Sequence, residues 1–133
     1  MTKMENIQIK AQERSPEVNF DFANHKLSLK GESYPEDVAS FYGPILKDLE
    51  KYLNSLDGKG HTEVDIQLVY FNSSSAKALM NFILMLDKAA KVGNKITINW
   101  HCHEDDDTMR EFGEDFAEDV EAASFNLKLQ EAA

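Results

Sequence analysis

Three hydroxyls in a row, Ser73, Ser74 and Ser75, follow Tyr70-Phe71-Asn72 and precede Ala76-Lys77-Ala78-Leu79. Here a hydrophobic strand hands over to a hydrophobic helix. The first N–H groups of such a helix have no partner within it, and Asn72, Ser73 or Ser74 can serve them with a side-chain oxygen. The same amides and the helix dipole also favour an added negative charge by ~0.3 to 1 kcal/mol. A phosphoryl group on one of the serines would therefore be tolerated by the fold. It would bring about -1.5 to -2 charges to a point that Tyr70 and Phe71 make apolar, with Lys77 one turn on to pair with it. Cap and phosphate acceptor are both open readings of these residues.

A second cluster, Trp100-His101-Cys102-His103-Glu104-Asp105-Asp106-Asp107, contains metal-ligand types, and on a strand His101 and His103 share a face. Structural zinc draws its ligands from two short motifs, and no second Cys/His pair exists. His101 and His103 are thus weak metal candidates. The acidic residues fit better as the first turn of a helix carrying Met109 and Phe112, where they complement its dipole. No GxSxG, GxxxxGK[ST] or GxGxxG motif is present, and Glu111, Glu114, Asp115, Glu118 and Asp119 read as a solvated helix face. The expectation is no enzyme, no cofactor and no metal.

The elements that must position these groups follow from periodicity. Ile7, Ile9 and Ala11, then Val18, Phe20 and Phe22, then Leu27 and Leu29 alternate with polar residues as half-buried antiparallel strands, with Asn24-His25 as a hairpin turn. Ser33-Tyr34-Pro35-Glu36 has the form of a capping box and predicts a helix starting there. Its apolar stripe runs from Val38 to Leu56, with a kink or a break at Gly43-Pro44. Val64 to Phe71 predicts a central strand buried on both faces toward its end. A helix from the serines to Gly93-Asn94, a strand through Ile96, Ile98 and Trp100, a helix through Met109, Phe112, Phe116 and Val120, and a strand over Phe125 to Leu129 complete the chain. Strands alternating with helices imply right-handed crossovers and a sheet whose faces are covered by helices. The class is α/β: one domain over residues 1–133, a central mixed sheet of about six strands and three to four helices.

The 133 residues carry 14 Lys and Arg against 24 Asp and Glu, a formal charge of -10 that repels nucleic acid and anionic lipid. The N-terminus shows no apolar signal region, and no apolar run is long enough for a bilayer. One cysteine, Cys102, agrees with a reducing compartment, so the expected setting is the cytoplasm.

The order of elements, with a phosphorylatable residue at its central strand-to-helix turn, resembles STAS-like proteins of the anti-anti-sigma kind. Gly31-Glu32-Ser33-Tyr34-Pro35-Glu36, Leu68 through Ala78, and Trp100-His101 with the following acidic stretch and Glu114-Asp115-Phe116 resemble more closely the SiaC family of bacterial regulatory phosphoproteins. That resemblance implies a non-enzymatic switch. A partner kinase of the SiaB type phosphorylates it and a PP2C-type phosphatase reverses this. The unmodified form binds and activates a GGDEF diguanylate cyclase, raising cyclic di-GMP and favouring biofilm. The family's modified hydroxyl follows the turn Asn, which here is Ser73. Because the chain has three serines in a row where a family member has Thr, Ser74 is the alternative acceptor. Tyr70, Phe71, Asn72, Ser74, Lys77, Glu32 and Tyr34 are the expected partner contacts. The rival readings are an anti-anti-sigma factor acting on an anti-sigma kinase and a metal-binding or enzymatic domain.

Overall fold

Alternating apolar residues give six strands, and the computed structural model, which describes residues 5–131, joins them into one mixed sheet. The strands are β1 (Ile7–Ile9), β2 (Glu17–Asp21), β3 (Lys26–Ser33), β4 (His61–Phe71), β5 (Lys95–His103) and β6 (Ser124–Gln130). They lie side by side in chain order, antiparallel from β1 to β3 and parallel from β3 to β6. Helices α1 (Val38–Asn54), α2 (Ser73–Lys91) and α3 (Asp107–Glu118) make the three parallel crossovers.

Crossovers of one hand between strands in consecutive order stack their helices on the same side. The helices accordingly cover one face, not both. Val64, Ile66, Leu68, Ile96, Ile98 and Trp100 are buried toward them against Leu49, Leu79, Phe82, Ile83 and Leu86. The opposite face is polar: Asn126 donates to Asn99 (3.2 Å), Asn99 donates to Asp65 (3.2 Å), and His101 Nε2 lies 2.7 Å from the same carboxylate. Asp65 and Gln67, which alternate with the apolar residues of β4, belong to that face. Gly113 lets α3 approach closely, since a Cβ there would come within 2.6 Å of the Trp100 ring.

Four local expectations are corrected. Ser33 does not start a helix: it ends β3, fully buried, and α1 begins at Val38, where Asp37 accepts from the Ser40 N–H at 3.1 Å. Its hydroxyl is engaged in the interior, so it is not free to cap. Gly43-Pro44 does not divide α1, which runs continuously over 17 residues. Both residues are exposed, so the Ser40 carbonyl that Pro44 leaves without an amide can turn to water. At the hairpin, Asn24 closes a short 3-10 turn, Phe22–Asn24, by donating to Asp21, and the positive φ of 58° falls on His25. The end of β4, lastly, is not buried on both faces.

Candidate functional site

The last four residues of β4 set the geometry. Gly31 of β3 pairs with Leu68 and Glu32 pairs with Tyr70, so Val69 is an extra residue without a partner on β3. Such a bulge shifts the inward–outward alternation by one position. Leu68 and Phe71 both point into the core, and Val69 and Tyr70 both point out, 56% and 50% exposed. Phe71 is wedged against Phe112 (4.6 Å between ring centres), Trp100 (6.1 Å) and Phe116 (6.4 Å). It anchors the turn from below and is 5% exposed, so it offers no surface to a docking protein.

Asn72 then caps α2. Its side-chain oxygen accepts from the Ser75 N–H at 2.9 Å, its carbonyl accepts the first intrahelical bond from Ala76 at 2.9 Å, and its own N–H donates to the Ser33 carbonyl at 3.2 Å. The amides of Ser73 and Ser74 precede that first bond. Both side chains are exposed, as is Lys77 on the next turn. Ser75 is fully buried and accepts from the Ser33 hydroxyl at 2.9 Å, and Ser33 in turn bonds the Tyr42 phenol. This hydroxyl chain ties α1, β3 and α2 together beneath the turn. Of the three serines, only Ser73 and Ser74 can be reached from solvent.

The turn following β3 stands beside the turn following β4. Tyr34 meets Tyr70 edge to face at 5.6 Å, and Glu32 is the register partner of Tyr70. Partial desolvation, and then the carboxylates of Glu32 and Glu13, hold the Tyr34 phenol above its ordinary pKa. Glu32, Tyr34, Tyr70, Asn72, Ser73, Ser74 and Lys77 thus share one rim, at the carboxyl ends of the parallel strands where open α/β sheets bind their ligands. Val69 belongs with them and was not foreseen. Two consecutive apolar residues breaking the alternation of β4 were the available signal.

The second cluster does not converge. His101 faces the open side of the sheet toward Asp65, His103 is exposed, and Cys102 points the other way into the core, its thiol pushed up in pKa by burial and then by Asp106. Among the described residues no three His, Cys, Asp or Glu side chains are grouped to hold a metal ion. Asp106 instead caps α3, accepting from the Met109 N–H at 3.1 Å, with Asp107 in the first turn.

Residues 9–130 match the family described as SiaC family regulatory phosphoprotein. The chain belongs to the SiaC family. An uncharacterized protein of Pseudomonas aeruginosa strain UCBPP-PA14 is 31% identical over 127 residues, 96% of this chain and 97% of that one. Apo-SiaC from Pseudomonas aeruginosa superposes with a TM-score of 0.81 at 30% identity, covering 96% of this chain and 99% of that one. SiaC in the crystal structure of diguanylate cyclase SiaD in complex with its activator SiaC gives a TM-score of 0.82 at 28% identity, covering 95% and 99%. The mixed six-stranded sheet with three helices is therefore the architecture of solved SiaC structures. In this SiaC-family chain no helix among the described residues is long and apolar enough to cross a membrane.

Proposed function

We propose that this SiaC-family chain is a non-enzymatic switch whose unmodified form binds and activates a GGDEF diguanylate cyclase, and whose phosphorylation on Ser73 releases that partner. Ser74 is the alternative acceptor. A kinase of the SiaB type would write the mark and a PP2C-type phosphatase erase it, in the cytoplasm, with cyclic di-GMP and biofilm formation as the output. The neighbouring SiaC is the activator of a diguanylate cyclase, and the fold is shared across almost the whole length of both chains.

The observation that carries the reading is the exposure of the Ser73 hydroxyl in the first turn of α2, next to exposed Tyr70 and Val69. A dianion there meets the amides of Ser73 and Ser74 and the positive end of the helix, so the folded domain accepts it at little cost. Lys77, four residues on, stands at the spacing that favours an ion pair. A docking partner meets the same dianion as strongly hydrated bulk on an apolar surface.

Calorimetric titration of unmodified and Ser73-phosphorylated protein against the cognate cyclase tests the switch. The expected loss of affinity on phosphorylation is roughly tenfold to 100-fold, within the usual range of coupling energies, with a parallel loss of cyclase activation and an unchanged melting curve. Equal affinity of the two forms removes the switch.

A further inference from the structure

The rim around Ser73 has a chemical character that names its occupant. The β4 bulge leaves Val69 and Tyr70 half-exposed side by side, and Tyr34 extends the apolar surface by its edge-on contact with Tyr70. Beyond Tyr34 the surface continues, because the Tyr34 N–H donates to the Arg14 carbonyl at 2.7 Å and binds the 12–15 loop to it. Between that loop and the start of α1 lies a shallow groove of about 320 Å³, lined by Glu13, Arg14, Pro35, Glu36 and Phe41 among others. Carboxylates border the apolar strip along its length: Glu32 opposite Tyr70, then Glu13 and Glu36 in the groove, against Arg14 in the groove and Lys77 at the α2 end of the rim.

We propose, resting on the function given above, that this strip receives an apolar segment of the partner cyclase bearing arginine or lysine side chains, which lie against Glu32, Glu13 and Glu36. Exposed aromatic and aliphatic side chains at a rigid strand end supply the centre of such a contact, and the acids supply its charged border. Charge decides between occupants. A second copy of this chain would bring the same acidic border and a net charge of -10 against its own like. A basic segment is drawn in.

The mode of switching follows. A phosphoryl group on Ser73 does not repel a basic partner; it carries tightly held water into the apolar contact beside Tyr70. Salt therefore separates the two effects, since added ions screen the acidic border but leave an apolar contact and its disruption largely intact.

The test titrates the cognate cyclase with wild-type protein, the double variant Glu32→Gln/Glu36→Gln and Tyr70→Ala, each at about 50 and 300 mM salt. All three substituted residues are at the surface, and circular dichroism verifies the fold of the variants. Wild-type affinity should fall about fivefold with salt. The glutamine pair should lose about fivefold at low salt and little at high salt, as expected of solvent-exposed border charges. Tyr70→Ala should lose about tenfold or more at both. Affinity that rises with salt, or a glutamine variant that binds as tightly as wild type at low salt, overturns the basic occupant. If phosphorylated and unmodified protein bind alike while the salt and glutamine effects appear, the switch falls and the occupant stands. A wild-type chain that does not bind the cyclase at all removes both.

Discussion

Two sets of backbone amides in this protein stand at opposite ends of α2, and only one carries its own anion. At the carboxyl-terminal end, Asp87 is 2% exposed and accepts from the N–H groups of Glu121, Ala122 and Ala123 at 2.8 to 3.1 Å, with Lys91 at 3.8 Å and the Lys91–Glu121 pair at 2.9 Å closing the outside. At the amino-terminal end, the amides of Ser73 to Ser75 are served only by the neutral oxygen of Asn72. The other two crossover helices use Asp37 and Asp106 as caps, and α3 adds Asp107. A carboxylate locks a loop permanently. A neutral cap with two exposed hydroxyls leaves the positive end of α2 open to a charge that can be added and removed.

The largest effect expected from breaking this contrast is at the filled end. Asp87→Ala leaves three loop amides without an acceptor, and bonds to a charged group are worth about 1.5 to 3 kcal/mol each before water replaces any of them. A loss of roughly 2 to 4 kcal/mol in urea-induced unfolding is expected, with the α3–β6 connection exchanging its amide hydrogens first. Acid gives a second reading of the same lock. Burial alone would raise the Asp87 pKa, but the N–H groups of Ala123, Ala122 and Glu121 and the Lys91 charge outweigh it and hold the carboxyl below its ordinary value of 3.8. A depressed folded value means that the stabilisation is complete above pH 3.8 and is lost as pH falls through the folded value. The acid limb of stability should therefore be shallower in Asp87→Ala than in wild type. Identical limbs would show that Asp87 is not the group responsible.

Asp87 also marks where reading the chain alone stops. It sits near the end of α2 beside Lys88 and Lys91, and nothing local says that it reaches a loop 34 to 36 residues away. The order of elements along the chain, the helix at Asn72 and the acidic start of α3 were legible because periodicity and cap chemistry are local. Ser33-Tyr34-Pro35-Glu36 misled for the opposite reason: it matches a capping box, yet Ser33 spends its hydroxyl on Tyr42, 9 residues on, and on Ser75, 42 residues on. Periodicity did not fix the proximity of Glu32 and Tyr34 to Tyr70, which comes from the parallel pairing of β3 with β4, and the exposure of Val69 and the burial of Phe71 likewise depend on a bulge that only this pairing reveals. Helices covering a single face follow from strands lying in chain order, a property of topology rather than of any segment.

An intermediate effect is expected beneath the open end. Ser75→Ala removes the acceptor that the buried Ser33 hydroxyl uses, leaving that group one partner short. A cost of about 1 to 2 kcal/mol is expected. Since Ser75 is inaccessible, phosphate incorporation by the cognate kinase should not change. Loss of incorporation in Ser75→Ala with retention in Ser73→Ala would move the acceptor inward and break the assignment to the exposed serines.

The smallest change in stability is also the sharpest test of the contrast. Asn72→Asp converts the neutral cap of α2 into the kind that α1 and α3 already carry. Asn and Asp cap about equally well, and a carboxylate gains ~0.3 to 1 kcal/mol from the helix dipole, so unfolding should shift by no more than about 1 kcal/mol, and upward. The amides that would greet a phosphoryl group now face a fixed anion on the residue before Ser73, accepting from the Ser75 N–H as Asn72 does. If their vacancy is what makes the modification tolerable, phosphorylating Ser73 should destabilise Asn72→Asp while leaving wild type nearly unmoved, a difference read by melting the four proteins side by side. Equal response of both backgrounds would mean that the phosphoryl group draws nothing from the helix start, and the distinction between the two ends of α2 would then rest on exposure alone.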